Sequence, residues 1–347
     1  MKAAPTSEQT STLNRLNDAE LKDLLDLELG SEVEDRIRQT LLGPISDLLG
    51  RPKKNLRSQL TEIGFLLGTG PEGNSVSEAK YQIALEVIEA LHAGSLIVDD
   101  IEDGSAFRRG GPSLHERYSM PVALNAGNWL YFWPLELIRR LDLPPATELE
   151  VYRLYHRTLL RAHFGQALDV GVAIDKVVRA KIYHTCLASL ELKSGTLASF
   201  GIGFGALIAG AERDALGPLL KFGHHFGVAL QMLDDLGNFT GKKDPDKKWE
   251  DLRLRRPTWV WACLAEEKET AAWTGFLTAV GRLPDETALE KWTAEHLLVI
   301  NRAREKALRF LSESVTKLES EFPSSPASQK AFAIVESIKG RLVQAYG

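Results

Sequence analysis

Cysteine is nearly missing from this chain, with Cys186 and Cys263 the only two among 347 residues. That excludes a disulfide framework, and a reducing, cytoplasmic setting suits such a composition. Positive charge is not in excess either: 42 Lys and Arg stand against 47 Asp and Glu, a net charge of -5. Without a long basic stripe there is no nucleic-acid footprint, and any anion must be bound locally. Long apolar runs are also wanting. The most apolar stretch, Phe200 to Ala211, is far too short to span a bilayer, so no transmembrane segment is expected. The polar start, Met1 to Thr12, lacks the apolar core of a signal peptide and is expected to be a disordered lead-in.

Runs of alternating β-branched residues are absent, and no internal repeat is present. What remains is apolar spacing of helical period, over a composition that is 44% hydrophobic and 26% charged, as in a globular protein. It predicts helices over 32–49, 56–67, 77–102, 121–140, 147–171, 175–210, 213–239, 258–266, 268–280, 285–318 and 326–344. Turn chemistry separates them, at Gly68 to Ser75, Arg109-Gly110-Gly111-Pro112, Leu143-Pro144-Pro145 and Gly241 to Asp246. None of these breaks is long enough for a domain linker. The expected fold is therefore all-α, with residues 13–347 as a single large helical bundle. Its long central helices, apolar over much of their circumference, would enclose a deep apolar cavity.

The sharpest chemical signal is Asp99-Asp100-Ile101-Glu102-Asp103, which closes an apolar helix. Asp99 and Asp103 are four residues apart, so both carboxylates project from one helical face. Like charges at that spacing repel, and at a helix C-terminus they also oppose the macrodipole. A solvated acidic helix end is the plain alternative, but a hard divalent cation such as Mg²⁺ compensates both terms. A second pair, Asp234-Asp235, follows another apolar run, with Asn238 one turn beyond Asp234. Two such faces opposed across a cavity would clamp metal ions on one diphosphate. Basic residues stand where an anion would need them: Arg108-Arg109 just after the first cluster, and Lys53-Lys54-Asn55-Leu56-Arg57 at a loop-to-helix junction.

In order and spacing, from Lys53 onward, these residues resemble the trans-isoprenyl diphosphate synthases, the polyprenyl synthetase family. The run Asp99 to Ser105 with Arg108 to His115 looks most like the eukaryotic type of geranylgeranyl diphosphate synthase. So does the ending of the second motif in Asn238. The resemblance implies an Mg²⁺-dependent head-to-tail condensation of isopentenyl diphosphate with an allylic diphosphate. It implies that Asp99, Asp100, Asp103 and Asp234 hold Mg²⁺ on the allylic diphosphate, with Asp235 and Asn238 supporting the second face. Arg108 would touch the allylic diphosphate, and Lys54, Arg57, His92 and Arg109 would hold isopentenyl diphosphate. Lys193, Ser194 and Gln231 would lie near the reacting carbons. Arg256 and one of Lys247 and Lys248 would add charge toward diphosphate. Ser194 stands where the family usually has Thr, Arg256 where it has Lys, and Arg51-Pro52 where it has paired Gly before the Lys.

The resemblance further implies a homodimer. Product length would follow cavity depth. Gly94 and Ser95 lie one turn below Asp99, where they either leave the pocket open or serve helix packing. Tyr131, Phe132 and His163 match bulky floor positions, favouring a twenty-carbon product over a farnesyl or longer one. A class I terpene cyclase shares the acidic metal cluster but has no use for Lys54, Arg57, His92 and Arg109 as an isopentenyl site. A non-catalytic regulatory subunit would be expected to have lost acidic residues that this chain keeps.

Overall fold

A computed structural model of the chain describes residues 18–27, 29–52, 55–69, 76–241 and 248–346. The expected lead-in, residues 1–12, lies outside them. The fold is all-α, as the periodicity predicts, apart from one short antiparallel ribbon that pairs Phe107 with Pro112 and Arg108 with Gly111. The chain gathers into two compact units. One runs up to Ser58 and from Val76 to Pro144; the other takes the segment from Gln59 and then everything from Pro145 onward.

The first unit is built on the helix Glu78–Asp103. Ser77 caps its start by accepting the Lys80 N–H, and Gly104, at φ 65°, stops it in the left-handed conformation that glycine adopts without strain. Its buried residues Ala84, Val87, Leu91, Gly94 and Ile97 form one stripe of helical spacing. Among the described residues this is the one helix long and apolar enough to cross a membrane. It packs as a core helix against Met120–Arg140. A Cβ on Gly94 would lie 3.0 Å from the Gly127 carbonyl oxygen and from Leu130 Cβ, so Gly94 serves the close helix crossing.

The second unit depends on a glycine-lined crossing. In Thr196–Ile208 every residue from Phe200 to Ile208 is buried, and Gly201, Gly203 and Gly205 lie within helix rather than in a dinucleotide turn. A Cβ on Gly205 would fall 2.0 Å from the Thr61 carbonyl oxygen, and one on Gly64 would fall 1.9 Å from that of Ile202. Backbone thus meets backbone between Thr196–Ile208 and Leu56–Gly68.

Several short elements had no clear periodicity to announce them: Asp18–Leu25, Leu114–Arg117, Ile174–Lys176, Glu250–Arg253 and the ribbon. The predicted helix over 285–318 is two, Thr287–Glu295 and Leu297–Glu321, parted at His296. There φ is -119° and ψ 28°, and the imidazole stacks on Trp292 with Nδ1 2.9 Å from its carbonyl oxygen.

The crossing gives a pair of predictions of opposite sign. Gly64→Ala, which adds a methyl against fixed backbone, should lower stability by about 2 kcal/mol or more. Gly340→Ala, at an exposed helical site with nothing within 4 Å of the new Cβ, should raise it by about 0.5–1 kcal/mol. Denaturant unfolding of both variants checks the pair.

Candidate active site

In the first unit the acidic cluster divides in two. Asp100 continues the buried stripe of Glu78–Asp103 through Ala90, Ala93 and Ile97, and it is 2% exposed. A carboxylate there must be paired. Arg108 supplies the partner, with Nε 2.8 Å from Oδ1 and a second, shorter bond from Nη2. Asp99 and Asp103 lie off that stripe, part-exposed and one turn apart. In this structure Asp100 anchors Arg108.

Arg109 behaves alike. Its backbone is left-handed, at φ 52°, which swings Nη1 to within 2.9 Å of Glu89 Oε1 on the same core helix. The two arginines therefore fasten the ribbon to Glu78–Asp103 through three charge-assisted bonds. Ser95 donates to the His92 carbonyl at 2.9 Å, and His92 is part-buried. Arg57 lies in the first turn of Leu56–Gly68, part-buried, while Lys54 lies outside the described residues. Tyr131 is near the carboxylate end rather than deep below it: burial first, then the charges of Asp99 and Glu102, push its phenol above the usual tyrosine range. Phe132 is 68% exposed and lines no interior of its unit.

In the second unit close packing assembles a polar chain. The long helix continuing from Arg179 is broken by a π-helical turn, Glu191–Gly195, which carries Lys193 and Ser194. Turns of this kind are inserted where a helix must re-aim its side chains. Glycines let two other helices approach this turn. A Cβ on Gly227 would lie 2.5 Å from the Ser194 carbonyl oxygen, and one on Gly165 would lie 2.5 Å from the Lys193 nitrogen. In consequence Ser194 Oγ donates to Gln231 Oε1 at 2.8 Å, and Lys193 Nζ reaches Asp169 at 2.7 Å. Gln231 Nε2 donates to Asp235 Oδ1 at 2.9 Å, and the Trp259 backbone N–H donates to Asp235 Oδ2 at 2.7 Å.

Asp235 repeats the arrangement of Asp100. It falls on the buried stripe of Arg213–Thr240 with Val228, Met232 and Phe239 and is 5% exposed, with both oxygens occupied. Burial, then the charge of Asp251, holds its carboxyl well above the ordinary range. Asp235 thus anchors Gln231. Asp234 and Asn238 lie part-exposed, one turn apart, and Asp234 Oδ1 accepts a 2.6 Å bond from the Tyr346 hydroxyl. Arg256 is buried, with Nη1 3.0 Å from the Asp169 carbonyl oxygen. Asp169 therefore gathers both Lys193 and Arg256. Lys248 lies over the Trp249 ring at 3.8 Å and 3.5 Å from Glu290, while Lys247 lies outside the described residues. His163 is exposed, with Nδ1 2.9 Å from the Leu159 carbonyl oxygen.

Among the described residues no three His, Cys, Asp or Glu side chains converge as a ready-made metal cage. The part-exposed carboxylates Asp99, Asp103 and Asp234 suit Mg²⁺ nonetheless. That ion is usually held by one or two carboxylates, with water and substrate phosphates completing its octahedron.

Two residues in contact with the candidate site residues escaped the motif reading. Tyr346 lies 112 residues from its partner in sequence, and no local pattern marks it. Arg51 was visible only as a departure from the family's glycine. Its guanidinium donates to the Arg108 carbonyl at 2.8 Å, the Pro112 carbonyl at 2.7 Å and Asp47 at 2.8 Å, clamping the ribbon that carries Arg108 and Arg109. Arg51→Met should cost about 2–3 kcal/mol, as expected for part-buried bonds to a charged donor. A loss in denaturant unfolding of less than about 0.5 kcal/mol, the level of an ordinary surface change, would contradict this clamp.

Comparison with known proteins places these motifs. A family profile described as polyprenyl synthetase matches residues 38–293. The chain is 27% identical over 219 residues to a geranylgeranyl pyrophosphate synthase of Eremothecium gossypii, covering 62% of this chain and 64% of that one. It is 32% identical over 175 residues to a geranylgeranyl diphosphate synthase of Sulfolobus acidocaldarius, covering 49% and 52%. The match thus spans just under two thirds and about half of these relatives' lengths. Among solved structures, the fold is similar to a geranylgeranyl pyrophosphate synthase of Corynebacterium glutamicum described as complexed with isoprenyl diphosphate and magnesium. The TM-score there is 0.75 at 21% identity, over 95% of this chain and 96% of that one. The profile match spans both aspartate motifs and both arginine-bearing segments, and the chain belongs to the polyprenyl synthetase family.

Proposed function

We propose that this chain is a prenyltransferase that condenses isopentenyl diphosphate head to tail with an allylic diphosphate, giving geranylgeranyl diphosphate. The observation that carries the reading is the part-exposed pair Asp99 and Asp103, one turn apart at the end of a core helix, in a chain of this family. The names of the relatives support the twenty-carbon product.

Asp99, Asp103 and Asp234 would hold Mg²⁺. Bound there, the ion would supply Lewis-acid neutralisation of the leaving diphosphate, which needs no activated water. The protein's own contribution is orientation and fixed charge. Arg256, set by the Asp169 carbonyl, would present a cationic group toward diphosphate, and Lys193, set by the Asp169 carboxylate, would lie near the reacting carbons. Ser194 and Gln231, locked by Asp235, offer dipoles that need no reorganisation when positive charge develops on the substrate. Lys54, Arg57, His92, Arg108, Arg109 and Lys248 are the remaining residues proposed to contact isopentenyl or allylic diphosphate.

A homodimer fits the exposed apolar side chains. Met120, Leu124 and Phe132 fall on one stripe of Met120–Arg140, and Leu149, Leu160 and Phe164 on one stripe of Pro145–Gly171. Burial of such stripes is what a second copy would provide.

Incubation with Mg²⁺, labelled isopentenyl diphosphate and, separately, five-, ten- and fifteen-carbon allylic primers tests the reading. A twenty-carbon diphosphate is expected, from a protein that sediments at twice the 38.4 kDa chain mass. Asp99→Asn and Asp103→Asn should each lower turnover by roughly 100-fold or more. Hydrocarbon formed from a longer diphosphate without elongation would make the protein a cyclase and contradict the proposal.

A further inference from the structure

We infer that Tyr346 is a positioning residue for metal binding: its hydroxyl orients the Asp234 carboxylate toward a divalent cation. The inference rests on the reading of Asp234 as a metal-holding residue. Three observations lead to it. The Tyr346 hydroxyl lies 2.6 Å from Asp234 Oδ1, the length of an O–H donor on a carboxylate. Tyr346 is 8% exposed, and the bond is part-buried. Its helix, Pro326–Tyr346, buries Ala331, Val335 and Ile338 on one stripe and delivers residue 346 as a fixed arm.

Asp235 is committed to Gln231 and the Trp259 N–H. A carboxylate has about four lone-pair sites, so it can accept the Tyr346 hydroxyl and a cation together, the hydroxyl setting its orientation. Partners of this kind raise metal affinity by holding the ligand in its binding orientation, and their removal typically costs 10–100-fold. The alternative chemistry is a latch, in which the hydroxyl competes with the cation for Asp234. The two differ in sign.

The test uses Tyr346→Phe, which removes the hydroxyl and keeps the ring that packs. Thermal unfolding of the full chain is followed in inorganic diphosphate while Mg²⁺ is titrated, with Asp234→Asn alongside. The wild-type chain should be stabilised with a defined Mg²⁺ midpoint, and Asp234→Asn should lose most of that response. Tyr346→Phe should unfold within a few degrees of wild type without Mg²⁺ yet require about 10-fold more Mg²⁺ to reach its midpoint. An unchanged midpoint would overturn the inference and leave the metal reading of Asp234 intact. A lower midpoint would overturn it in favour of the latch. A wild-type chain that does not respond to Mg²⁺ and diphosphate would overturn the metal reading and this inference together.

Discussion

A carboxylate that is carried into an apolar core must be paired, and much of this site follows from that constraint. Each aspartate pair lies on a helix whose buried stripe runs through the second member. Asp100 follows Ala90, Ala93 and Ile97, and Asp235 follows Val228 and Met232. The helical repeat therefore turns one carboxylate inward and its neighbour outward. The inward one recruits a donor that the site needs in any case: Arg108 for Asp100, Gln231 and the Trp259 N–H for Asp235. The outward one, Asp99 or Asp234, is the member proposed to hold a hard cation. On that proposal, two adjacent residues of one type divide anchoring and ligation between them.

Close helix contact does the complementary work in the second unit. Gly165 and Gly227 lie where any side chain would strike the backbone of the π-helical turn. Only with backbones at that distance can a serine hydroxyl bridge to Gln231 and a lysine reach Asp169. In the first unit the ribbon carrying Arg108 and Arg109 has too little apolar surface to hold itself. Salt bridges to Asp100 and Glu89 and the clamp of Arg51 hold it instead.

Much of this was legible in the sequence where one local pattern dominates. Long helices such as Glu78–Asp103 and Arg213–Thr240 carry a repeated apolar stripe, and their ends were placed to within a residue or two. The break at His296 was not, because a ring cap on Trp292 leaves helical spacing on both sides undisturbed. The acidic motifs marked the site, but reading them as blocks hid the division inside each pair. Spacing could have shown it, since residues 90, 93, 97 and 100 already form a core stripe. At Gly94 the sequence left open space and helix packing as alternatives, because a glycine signals close approach without saying to what, and the structure shows a close helix contact there. Tyr346 and the clamp of Arg51 are long-range contacts, and no window of sequence contains both partners.

The division of each pair into anchor and ligand is the central claim, and anomalous scattering tests it most directly. Crystals of the protein grown with Mn²⁺ and inorganic diphosphate should show anomalous peaks within ligand distance of Asp99 and Asp103 and of Asp234. Asp100 should stay on Arg108, and Asp235 on Gln231 and Trp259. A peak ligated by Asp100 or Asp235, or diphosphate bound with no metal at any of these carboxylates, would contradict the account.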